Sequence, residues 1–333
     1  MIPVILMLLA FGIASRTGLR YPAHFPPPVY DFKKHSLSPE KIKLGRLLFY
    51  DPVLSSDGMV SCASCHNPYN AFAHTDHALS HGIHDSIGRR NAPALFNLAW
   101  QRELMWDGSV KHMDAQARVP ITSPGEMGET MESVLRKLNA GSGYRELFRG
   151  AFGDSTANAA ALMQALAQFE LTLVSAGSRY DRVMQGKDSF TVQEQNGYRI
   201  FRQHCNTCHT EPLFSGYGYA DNGLPVNTSL NDNGRAAVTG KKSDSLHFRI
   251  PSLRNLSYSY PYMHDGRFNT LRKVILHYTE GVVQRPSLSA QLRRPIVLGD
   301  KEQVDLTTFL LSLNDTAFVF DSVHHPPAAV PGR

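Results

Sequence analysis

The chain has 333 residues, 42% of them hydrophobic and 19% charged, with a formal net charge of +5. That length suffices for two ordinary domains, and the balance is that of a soluble globular protein. The basic excess is mild and scattered, which argues against a nucleic-acid partner.

The chain opens on "MIPVILMLLAFGIAS", an apolar run with the length of a signal-peptide core and short for a membrane span. Residues 1–20 are therefore expected as a signal peptide or an uncleaved N-terminal anchor, and both place the chain outside the cytoplasm. "SPEKIKLGRLLFYD" (38–51) begins with a Ser-Pro start and carries helical apolar spacing at Ile42, Leu44, Leu47 and Leu48. Next comes "SCASCH", with Cys62, Cys65 and His66. Residues 129–140 and 155–176 read as amphipathic helices. "GKDSFT" (186–191) marks a boundary, and residues 191–205 form a helix leading into "HCNTCH", with Cys205, Cys208 and His209. The Gly-, Asn- and Asp-rich stretch 215–247 reads as loop, and 303–313 as a last helix. The Pro-rich end, residues 321–333, is expected to be a mobile tail.

The two CxxCH strings contain all four cysteines. A dithiol redox pair would need a βαβ setting, which the pattern lacks. A shared zinc site would offer six ligands to a four-ligand metal. The remaining reading is covalent haem c: two thiols tether the macrocycle, and the adjacent histidine falls under the iron. Cys62, Cys65 and His66 would hold one haem, and Cys205, Cys208 and His209 the other. The expected fold is mainly α, with two cytochrome-c-like haem domains and extensive irregular loops. The N-terminal domain spans 30–186 and the C-terminal one 187–320. Only a weak internal repeat is visible, an apolar helix before each CxxCH and an Asn- or Pro-containing loop after it.

"LGRLLFYDPVLSSDGMVSCASCH", "RRNAPALFNLAW", "LMWDGSV", "PITSPGEMGE", "FRQHCNTCHTEPLF", "PSLRNLSYSYPYMHDGRF" and "LGDKEQVDLTTFLLSL" together resemble the bacterial di-haem cytochrome c peroxidases, the family that includes MauG. The match covers about residues 37–315.

The resemblance implies roles residue by residue. The His66 haem would be peroxidatic, with Glu126 as acid–base group, Gln116 orienting peroxide and Pro120 lining the pocket. Trp106 would relay electrons between the haems. Asn91 and the carbonyls of Ser259 and Pro261 would bind an inter-haem calcium, an oxygen-only donor set suited to that ion. Where the peroxidases place a methionine as sixth ligand of the second haem, this chain has Tyr278, as MauG does; Met263 and His277 are the alternatives. Phenolate is a hard anionic donor that favours oxidised iron. His74, His77, His81 and His84 lie near a family histidine that caps the resting first iron, and none is assigned that role.

The implied function is reduction of hydrogen peroxide to water in the periplasm. A small donor, a cytochrome c or a cupredoxin, would deliver electrons at the C-terminal haem, and a homodimer is the family habit. The alternatives are a MauG-like enzyme oxidising aromatic residues of a partner protein and a non-enzymatic di-haem electron carrier.

Overall fold

The computed structural model describes residues 18–328. The leader expected over residues 1–20 lies almost wholly outside the described residues, as do residues 329–333 of the tail. The chain is mainly helical, as expected. In order, the helices are α1 (Pro39–Tyr50), α2 (Cys62–Cys65), α3 (Met113–Gln116), α4 (Arg118–Thr122), α5 (Met131–Ala140), α6 (Ser142–Phe152), α7 (Ala159–Leu171), α8 (Arg179–Met184), α9 (Val192–His204), α10 (Ala236–Thr239), α11 (Leu271–Leu276), α12 (Asp300–Leu311) and α13 (Thr316–Val319). Two short strands, β1 (Tyr219–Ala220) and β2 (Phe248–Arg249), pair antiparallel with Tyr219 opposite Arg249.

The long helices start where their caps dictate. Ser38 Oγ accepts from Lys41 N, Asn158 from Ala161 N, and Thr191 forms a capping box with Glu194. Their apolar faces build two cores. In the first, α1 crosses α7 and Phe49, Phe72 and Phe169 meet edge to face at 5.2–6.4 Å. In the second, α9 crosses α12 and Phe201, Phe214 and Phe309 meet at 5.2–6.2 Å.

The repeat that looked weak in the sequence is extensive in three dimensions. Each crossing turns on a glycine. A Cβ on Gly45 would lie 1.9 Å from the Ala165 carbonyl oxygen, and one on Gly197 would lie 1.9 Å from that of Asp305. Each CxxCH is followed by a phenylalanine at positive φ, Phe72 and Phe214. "PALFNL" (93–98) and "PSLRNL" (251–256) then each carry an asparagine at positive φ, Asn97 and Asn255, a residue that tolerates the left-handed region. "MWDG" and "MHDG" each close a tight loop, bridged by Leu104 to Val110 and by Tyr262 to Phe268.

The units are tied by buried polar groups. Arg254 and Asp181 are both fully buried and form a two-pronged ion pair at 2.7 Å, and His24 Nε2 donates to the same carboxylate. Burial alone would raise the Asp181 carboxyl, but hydrogen bonds from Arg254 and His24 hold it well below the usual carboxylate range. A depressed native pKa adds stability above the unfolded value, and that stability is lost as pH falls through the native one. Asp181→Asn is expected to cost about 3–5 kcal/mol in urea unfolding at neutral pH, because it strands a buried guanidinium. The cost should shrink in acid, where the parent loses the same ion pair.

The chain end returns to the first unit. Phe318 and Val319 of α13 are buried in the first core, where Phe318 packs on Phe72 and Phe96. Beyond α13, Arg46 Nε donates to His325 O (2.8 Å) and Tyr50 Oη to His324 O (2.5 Å).

Candidate active site

In the first unit α2 carries Cys62 and Cys65, and His66 ends it. His66 Nδ1 donates to Phe72 O at 2.9 Å, which leaves Nε2 as the free ring nitrogen. Burial pulls the imidazole pKa down to about 4, so the ring is neutral and ligand-competent. Cys65 Sγ lies 3.6 Å from His81 O. The loop carrying His81 folds against the turn holding Glu126: Ile83 N donates to Glu126 O at 2.8 Å.

Glu126 sits on that turn, and Met127 N donates to Pro120 O. Glu126 is exposed at this turn. Desolvation raises its pKa, and the Ser123 hydroxyl partly offsets this. Gln116 ends α3, and its Nε2 lies 3.8 Å from Met105 Sδ. The Met127–Pro120 bond ties Pro120, in α4, to the turn of Glu126, and Gln116 ends the helix before α4. The histidine loop is occupied with itself: His77 and His81 stack at 4.2 Å, and His81 Nδ1 meets Asp85 at 2.6 Å.

In the second unit His209 Nδ1 donates to Pro251 O (3.0 Å) and is 3.3 Å from Phe214 O. Burial again draws the imidazole down, to about 4. His209, Cys205 and Cys208 line a large, mostly apolar cavity together with Leu256, Met263, Tyr278 and Leu310. Tyr278 lies on a π-turn (His277–Gly281), an irregularity frequent at functional sites. Burial pushes its phenol up to about 12, opposed by a hydrogen bond from Asn222. His277 is turned away, its Nε2 donating to Asn222 O at 3.0 Å.

Asn222 escaped the sequence reading. It touches Tyr278, Met263 and His277, with Nδ2 3.4 Å from Met263 Sδ. Arg249 escaped it too. It is buried, pairs with no carboxylate among the described residues, and lies 5.8 Å from the Trp106 ring in the wall of the second cavity.

Trp106 is buried in the same wall. Its Nε1 donates to Asn91 O at 2.8 Å, and Asn91 N donates to His264 O at 2.7 Å, so the residue bridges the two units. Asn91 Nδ2 donates to Ala78 O, leaving the amide oxygen free of that bond. Ser259 and Pro261 line the same cavity as Asn91.

The family model for di-haem cytochrome c peroxidase matches residues 39–189. The methylamine utilization protein MauG of Methylorubrum extorquens is 37% identical over 310 residues, covering 90% of this chain and 84% of that protein. The chain belongs to the di-haem cytochrome c peroxidase and MauG family. Cytochrome c551 peroxidase of Nitrosomonas europaea is also 37% identical, over 243 residues, 70% of this chain and 71% of that one. Among solved structures, a MauG-like protein associated with microbial copper homeostasis superposes with TM-score 0.83 at 30% identity, covering 92% of this chain and 98% of that chain. The diheme peroxidase BthA from Burkholderia thailandensis does so with TM-score 0.77 at 26% identity, covering 89% and 91%. The protein is thus a peroxidase-family oxidoreductase with haem cofactors.

The residues fit that cofactor. The four cysteines form no disulfide with one another, so each is available as a thioether tether. The two strings sit in different cores, so they do not converge on one zinc. Each histidine offers one nitrogen after its backbone bond, and the second cavity is apolar where a macrocycle would lie. Among the described residues no helix is long and apolar enough to cross a membrane.

Proposed function

We propose that the protein reduces hydrogen peroxide to water, taking two protons and two electrons per peroxide, and that the chemistry occurs at the His66 site. The observation that carries this is an asymmetry within a shared frame. Counted equal steps beyond Asp107 and Asp265, the first unit has Pro120 and the second has Tyr278. Proline has no donor for iron, and beside it stand Glu126 and Gln116. Tyrosine offers an oxygen donor and closes its site.

Haem, when bound, would supply the redox-active iron chemistry for peroxide reduction. We assign its tethers to Cys62 and Cys65 at His66, and to Cys205 and Cys208 at His209. Glu126, with its raised pKa, accepts a proton from one peroxide oxygen and returns it to the other. Gln116 holds the substrate by hydrogen bonding. Electrons come from a small redox protein, a cytochrome c or cupredoxin, on the His209 side, and Trp106 is the bridge toward His66. A calcium ion held by Asn91 and the carbonyls of Ser259 and Pro261 would lock the junction that Trp106 spans. A periplasmic location follows from the apolar leader. We keep domain limits of 30–186 and 187–320, although Phe318 and Val319 pack in the first core and Tyr180 in the second, and a homodimer is the family expectation.

The test is stopped-flow oxidation of a reduced small cytochrome on adding peroxide. Stoichiometric rapid oxidation is expected, and its absence would turn the reading over. Tyr278 also favours a second reading, MauG-like oxidation of aromatic side chains on a partner protein. In electron paramagnetic resonance of the resting ferric protein, Tyr278→Phe should alter the low-spin signal and spare the high-spin one. A spectrum like the parent's would hand the cap to Met263.

A further inference from the structure

We propose that the mouth of the second cavity is the docking surface for the electron donor, and that the donor meets it with an acidic face. This rests on the peroxidase reading above. Leu292, Ile296 and Leu298 line the cavity that contains His209. Between them the chain turns Arg293, Arg294 and Val297 outward, Val297 being 80% exposed. α11 repeats the arrangement: Val274 and Ile275 line the cavity while Arg272 and Lys273 are exposed.

From residue 271 to 298 the chain has a single acid, Glu280. Arg285, the other cation of this stretch, is committed to buried Asp221. Arg272, Lys273, Arg293 and Arg294 have no ion-pair partner among the described residues. Uncompensated charge of one sign around an opening steers an oppositely charged partner and raises its association rate about 10–10³-fold at low salt. An exposed valine among the cations gives the encounter a small apolar centre, which suits a brief electron-transfer contact.

The experiment compares three reductants in steady-state peroxide turnover by the holoenzyme: a reduced acidic cupredoxin, a reduced basic cytochrome c and a small-molecule reductant. The acidic donor should give the higher kcat/KM, falling steeply between about 20 and 200 mM salt as screening shortens the range of the field. Arg293→Glu with Arg294→Glu should lower that kcat/KM about tenfold or more. Arg272→Glu with Lys273→Glu, on a different element, should act in the same direction. In both variants turnover with the small reductant and the haem spectrum should stay unchanged.

Preference for the basic donor, or rates indifferent to salt and to both charge reversals, overturns the proposal. So does a self-association that the reversals abolish while donor rates hold, which would make the patch a face between copies of the chain. No turnover with any of the three reductants removes the docking surface together with the peroxidase reading.

Discussion

Glu126→Gln is expected to lower kcat/KM for peroxide about 10²–10⁴-fold, a loss of about 3–5 kcal/mol of transition-state stabilisation. The substitution keeps size and hydrogen-bonding capacity and removes only the proton-accepting carboxylate. Haem content and the resting spectrum should therefore match the parent. The pH profile supplies an independent check. Desolvation sets the Glu126 pKa above the ordinary carboxyl value, and the ionised form is the one that accepts the peroxide proton. Parent activity should fall as pH drops through that raised pKa, and the variant should lack this limb. Glu129, in the same segment, is held by Lys137 and Ser133. Glu129→Gln should leave activity in place. Equal loss in both variants would mean that the segment, and not the Glu126 proton, matters.

The second large effect concerns the helix crossings. Gly45→Val and Gly197→Val are each expected to destabilise the protein by about 3 kcal/mol or more, since the new atoms would overlap a backbone carbonyl that cannot swing aside. Gly150, on the exposed side of α6, leaves open space where a Cβ would point, with nothing within 4 Å, so Gly150→Ala should add about 0.5–1 kcal/mol. Chemical denaturation reads all three. A tolerated valine at Gly197 would mean that α9 and α12 do not cross as described.

The helix that begins with Ser38 was legible because cap and apolar period agree there, whereas the stretch 155–176, read as one amphipathic helix, holds the shorter α7, buried on nearly every side. α6 was not. Its "GSGYRELFRG" carries glycines that read as breakers, while Tyr144 and Phe148 anchor it in the first core. The cysteine strings were legible because covalent chemistry demands adjacent residues. The duplication around them was harder to see, because what it keeps is geometry. Phe72 and Phe214 share a backbone conformation and a carbonyl facing a histidine, with different neighbours in sequence. Asn222 left no signal. It lies in an aperiodic loop and reaches the second cavity because neighbouring Asp221 is pinned by Arg285, far along the chain. Arg249 was hidden for a related reason: a lone arginine usually marks surface, and only packing reveals one that is buried with no carboxylate partner among the described residues.

The return of the chain end to the first unit has a thermodynamic corollary. Phe318 packs in the core of the segment synthesised first, and the carbonyls of His324 and His325 accept from Tyr50 and Arg46 of α1, so the first half is not closed without the chain end. Heating should then give one calorimetric transition spanning both halves. Ending translation after Leu313 should split it in two, with the earlier peak belonging to the half that lost its borrowed lid.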